Sequence, residues 1–152
     1  MASYFFDSSA IVKRYAAEVG SSWVMNLTDP VSGHTIYVVR VTGAEVASAL
    51  VRKRPPLLPA DLVRALADFK RDFLHQYQRL AANDVVVIRA MTLAETHHLR
   101  GYDAVQLAAA LELLAVNLAA GLPSPIFVSA DVHLNTAAVA EGLTVDNPNS
   151  HP

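Results

Sequence analysis

The sequence predicts an α/β fold built on a central, largely parallel sheet. Three observations carry this: short apolar runs rich in aromatic or β-branched residues alternate with segments of helical spacing, those runs are apolar on both faces, and no long connector interrupts them. At 152 residues, 53 % of them hydrophobic, the chain is the size of one ordinary domain with one continuous core.

Tyr4-Phe5-Phe6 is the first strand, ending at Asp7-Ser8-Ser9, and Ala10 to Tyr15 continue as a helix. A shorter helical piece covers 22–27, and the β-branched stretch 34–41 is a second strand. Thr42 and Glu45 have the spacing of a capping box, opening a helix that runs to Arg52-Lys53-Arg54. After Pro55-Pro56, Pro59 starts a helix whose apolar residues Leu62, Leu66, Phe69, Phe73, Tyr77 and Leu80 recur every three or four positions, over about six turns.

The run Val85-Val86-Val87-Ile88 reads as a strand buried on both faces, and 92–99 as a short helix stopped by Gly101. The longest apolar helix follows, opened by Gly101-Tyr102-Asp103 and closed by Gly121 and Pro123. Residues 126–128 form a further strand, 131–141 a helix ended by Gly142, and 143–145 a last strand. The domain spans 1–148, and 149–152 is a tail.

Charged residues make up only 17 % of the chain, which predicts an apolar surface and self-association. The formal net charge of −2 makes the chain as a whole no attractor of polyanions, so nucleic-acid binding must come from local basic residues or a bound cation. Without cysteine, neither disulfides nor thiolate metal sites can form. The N-terminus lacks the basic region of a secretory signal, and Gln106, Glu112 and Asn117 interrupt the longest apolar run, so we expect a cytoplasmic protein with no membrane segment.

Ligands of such sheets bind beyond the carboxyl ends of the strands. Asp7 follows the first strand, Glu45 lies in the first turn after the second, and Asp131 lies just past 126–128; Asp103 enters its helix from the same region. Each acid alone could cap a helix or balance its dipole. Ser, Thr or Asn would serve a cap equally well, however, and all four edges carry an acid. Converging carboxylates repel unless a cation joins them, and oxygen-only donors select Mg²⁺ or Mn²⁺.

The strings YFFDSSAIVKRY, TGAEVASAL, LRGYDAVQLAAAL and FVSADVHLNTAAVAEGLTVDNP resemble, in order, the motifs of the PIN-domain family, in particular the VapC-like toxins of toxin–antitoxin pairs. The resemblance implies a three-layer α/β/α domain. It also implies a Mg²⁺- or Mn²⁺-dependent endoribonuclease, usually a homodimer, whose RNA cleavage is neutralised by a cognate antitoxin. On this resemblance Asp7, Glu45, Asp103 and Asp131 fall on the metal-binding catalytic acids, and Ser9 and Ser129 on supporting hydroxyl positions. The expected reaction is phosphodiester hydrolysis by water that the metal makes acidic.

Lys13, Arg14, Arg40 and Arg100 lie near the acids and are candidates to steer phosphate, against the plainer reading of solvated surface charge. His97-His98 diverge on a helix and lack a third ligand, so they read as surface or supporting residues. Phe69, Phe73 and Tyr77 read first as core, with a face toward a dimer mate or antitoxin helix as the alternative. No GxGxxG or GxxxxGK[ST] is present, position 9 is Ser where a haloacid-type phosphatase needs a second Asp, and Asp7 lacks the acidic neighbour of a receiver domain. The alternative function is a catalytically weak PIN-like module that binds RNA or protein; the full set of four acids argues against it.

Overall fold

A computed structural model describes all residues, 1–152. Five parallel strands form one sheet in the order β3-β2-β1-β4-β5: β1 Ser3–Phe6, β2 Thr35–Val39, β3 Gln78–Leu80, β4 Ile126–Val128 and β5 Thr144–Asp146. Seven helices complete the chain: α1 Ser8–Ile11, α2 Ser21–Thr28, α3 Thr42–Val51, α4 Pro59–His75, α5 Asp84–His97, α6 Gly101–Ala119 and α7 Val132–Ala140.

The period-2 alternation of the strands divides the core into two layers. Phe5, Val39 and Phe127 join a cluster with α5, α6 and α7, whereas Phe6, Ile36, Val38 and Val128 join one with α1, α2, α3 and α4. The expected three-layer α/β/α arrangement is therefore present. β1 stands at the centre with β2 on one side and β4 on the other, so the strand order switches beside it and its carboxyl end faces the crevice where such folds hold ligands. By length and composition α6 alone could cross a membrane, but half of its apolar stretch is buried in this protein's own core.

Four expectations about the elements are corrected. The run Val85–Ile88 is the first turn and a half of α5: the Asn83 side chain accepts from the Val86 N–H at 3.1 Å and starts a helix instead of a strand. Val86, Ala90 and Leu93 are its buried stripe, while Val85, Val87, Ile88 and Met91 are exposed. The separate helix at 92–99 is the second half of the same element.

The long helix from Pro59 ends at His75, and Gln78–Leu80 pairs with β2 as an edge strand. Tyr77 and Leu80 had extended a helical rhythm across that boundary because both still point inward. Thr42 and Glu45 form no capping box. Val41 is the N-cap residue and gives no side-chain cap, and both Thr42 and Glu45 bond elsewhere. The last residues pack back on the fold: Pro148 closes on Gly20, and His151 stacks on Trp23 at 4.2 Å and bonds Asp146 at 2.7 Å.

Candidate active site

Asp7 leaves β1 at its carboxyl end, where its backbone N–H still donates to the Val128 carbonyl at 3.1 Å. It caps α1 and is only 2 % exposed. Its Oδ1 accepts from Ser9 Oγ at 2.7 Å and from the Ala10 N–H at 3.0 Å, and its Oδ2 accepts from Ser129 Oγ at 2.9 Å. The two serines also bind the loop after β4, where Ser9 Oγ accepts from the Ala130 N–H and Ser129 Oγ from the Asp131 N–H. Ser9 and Ser129 thus fasten the ends of β1 and β4 together around one carboxylate.

Asp131 caps α7 by accepting from the Leu134 N–H at 3.0 Å. Asp103 is the third residue of α6, behind Arg100 at the N-cap, so it sits at the positive helix end without capping it. Glu45, in the first turn of α3, accepts from Ser8 Oγ at 3.2 Å and from Gln106 Nε2 at 2.7 Å. Glu45, Asp103 and Asp131 line one groove of 730 Å³ with Arg100, Tyr102 and Met91 along it.

Burial pushes the Asp7 carboxyl up to about 7, against its three hydrogen bonds, which favour the charged form; the negative charge of Asp103 adds to the rise. Burial also raises Glu45, again with a contribution from Asp103. Asp103 itself is raised by burial and by Asp131, and lowered by Arg100 and His133. All four acids are linked electrostatically through Asp103.

The donor set is all carboxylate oxygen, which suits a hard divalent cation. As the side chains stand, no three of the chain's acidic or histidine groups are gathered around a common ion position. Their hydrogen bonds explain why: Asp7 is held by serines and Glu45 by Ser8 and Gln106, so like charges rest apart. Chemically the residues fit a metal, and Glu45, Asp103 and Asp131 stand at the groove.

Several other candidates are placed away from this chemistry. Lys13 is buried and pairs with Glu18 at 3.0 Å. Arg14 donates to the Thr28 carbonyl, Gln76 and Tyr77 and faces Asp72 at 3.4 Å. Neither is free to steer a phosphate, whereas Arg40 and Arg100 are exposed. His97 bonds Glu141 at 2.7 Å, tying the end of α5 to the end of α7, and the His98 carbonyl lies 3.4 Å from His133 Nε2. Phe69 and Tyr77 are core residues, closed to any partner. Gln106 and Ser8 were not singled out for the site in the sequence; the signal was an amide one turn beyond Asp103, at the start of the apolar run of α6.

No protein-family model matches the chain. A curated relative, ribonuclease VapC45 of Mycobacterium tuberculosis (strain CDC 1551 / Oshkosh), is 32 % identical over 141 residues, covering 93 % of this chain and 92 % of its own. The chain belongs to the VapC ribonuclease family. Solved structures agree in fold with this VapC assignment. VapBC2 from Rickettsia felis, bound to a DNA fragment from its promoter, superposes with a TM-score of 0.61 at 12 % identity, over 95 % of this chain and 98 % of that one. A toxin–antitoxin complex from Klebsiella pneumoniae gives 0.58 at 14 % identity, over 95 % and 97 %.

Proposed function

We propose that this VapC-family chain is a Mg²⁺- or Mn²⁺-dependent endoribonuclease, the toxin of a toxin–antitoxin pair, that hydrolyses RNA phosphodiester bonds. The observation that carries the reading is the set of four carboxylates, delivered by four separate elements to one sheet edge, with only Arg100 and His133 to offset them. The relative's name as a ribonuclease supports RNA as substrate, and the toxin–antitoxin neighbours support an antitoxin as partner. The exposed side chains Val85, Ile88 and Met91 on α5 supply an apolar face for association, in keeping with a cytoplasmic homodimer.

Asp7, Glu45, Asp103 and Asp131 are the residues that would hold the cation. When bound, it supplies positive charge to the scissile phosphate and lowers the pKa of water to make the nucleophile. Ser9 and Ser129 orient the Asp7 carboxylate through Oγ, as outer partners of a ligand do. Arg100, exposed on the groove, draws the phosphate backbone toward the acids. No histidine or serine nucleophile is required.

The test is cleavage of single-stranded RNA by the purified chain with Mn²⁺ or Mg²⁺ and with EDTA. Cleavage that needs the metal and is lost in Asp103→Asn supports the reading. Equal cleavage in EDTA overturns the metal dependence, and RNA binding without cleavage under any metal favours a binding module instead.

A further inference from the structure

Gln106 joins α6, which carries Asp103, to α3, which carries Glu45, through side-chain hydrogen bonds. It is 1 % exposed, and its Nε2 donates to Thr42 Oγ1 at 2.9 Å and to Glu45 Oε1 at 2.7 Å. Its own Oε1 is buried with no partner. Turning the amide over would set that oxygen against the Glu45 carboxylate, so the bond to Glu45 fixes its orientation.

A residue chosen for packing would not look like this. Gln106 lies among Ala104, Leu107, Ala108, Ala109 and Ala110, where Leu or Met would fill the space and leave no unpaired acceptor. The molecule tolerates an orphan oxygen in its core to keep two N–H donors on α3. The other Glu45 oxygen accepts from Ser8, next to Asp7, and Gln106 lies one turn beyond Asp103. Glu45 is therefore suspended between the elements that carry Asp7 and Asp103.

We propose that Gln106 is a positioning residue for the metal site: it aims the Glu45 carboxylate and fixes α3 against α6, so that Glu45 and Asp103 meet the cation at a set separation. The inference rests on the metal-site reading above. Outer partners that orient a ligand typically change metal affinity by roughly 10- to 100-fold when removed.

The test is a double-mutant cycle on Mn²⁺ affinity, measured by calorimetry on the intact chain: wild type, Gln106→Leu, Glu45→Gln and the double variant. Gln106→Leu is expected to weaken Mn²⁺ binding roughly 10-fold or more, while adding nothing to the loss already caused by Glu45→Gln. Thermal melting in EDTA shows that each variant is folded, and Gln106→Met replaces Gln106→Leu where Leu does not fold. Additive losses, or unchanged affinity in Gln106→Leu, overturn the positioning role and leave the metal site standing. A wild-type chain that binds no Mn²⁺ overturns both.

Discussion

Asp72 and Asp7 are both buried carboxylates, 6 % and 2 % exposed, yet they keep different company. Asp72, on α4, faces Arg14 at 3.4 Å, accepts from Arg71 at 2.9 and 3.0 Å, and accepts from Tyr15 Oη at 2.9 Å. Burial lifts Tyr77 to about 12 and Tyr15 further, so both phenols stay protonated and donate. That cluster contains its own counter-charge. Asp7 has two hydroxyls and one backbone N–H, and the charge it feels from the groove is the negative one of Asp103. A polar cluster that is balanced from within serves the fold; we propose that the acidic edge is balanced by a cation from outside.

Asp72→Ala is the most damaging change expected for stability. Removing one partner leaves Arg14 and Tyr15 uncompensated, which costs about 3–5 kcal/mol for a buried pair, read from urea denaturation. Mn²⁺ affinity should stay as in wild type. A loss below about 1 kcal/mol, the scale of an exposed pair, would show the cluster to be unimportant to the fold and break the contrast.

Next in size is the pH response of Asp7. Its folded-state value, about 7, lies above the ordinary 3.8, so the stability linked to its proton is complete below 3.8 and is lost as pH rises to about 7. Without metal the wild type should lose on the order of 4 kcal/mol or less across that window. Asp7→Asn should flatten this part of the profile and be the more stable protein at pH 8. An unchanged profile would mean that Asp7 is already balanced.

Ser129→Ala removes one hydrogen bond from the Asp7 carboxylate. We expect about 1 kcal/mol less stability and Mn²⁺ binding weaker by roughly 10-fold, measured by denaturation and calorimetry. The smallest effect belongs to Arg100→Ala, which should weaken RNA binding a few-fold and reduce the dependence of log K on log salt by about one. An unaltered salt slope would remove Arg100 from the RNA path.

How far these regions could be read beforehand differs for physical reasons. The acids and the strands β1, β2, β4 and β5 were legible because strand-end acids and short apolar runs are local patterns. The start of α5 was not: four consecutive β-branched residues suit a buried strand, and only the Asn83-Asp84 cap reveals a helix with an exposed apolar face. β3 was hidden because Tyr77 and Leu80 keep a helical rhythm past the end of α4. Thr42 and Glu45 match a capping box in spacing, yet Gln106, 61 residues beyond Glu45, holds both side chains. Arg14 looked available to a phosphate because its partners, Thr28, Asp72, Gln76 and Tyr77, are distant in sequence.

The central claim is that a divalent cation completes the acidic edge, and thermal melting at pH 8 with and without Mn²⁺ tests it most directly. At about 100 times its dissociation constant a bound ion adds about 2.7 kcal/mol, or roughly 5–10 °C for a chain of this length. We predict that rise for the wild type and for Asp72→Ala, and its loss in Asp7→Asn and Asp103→Asn. No rise in the wild type, or an equal rise in Asp103→Asn, would contradict the account.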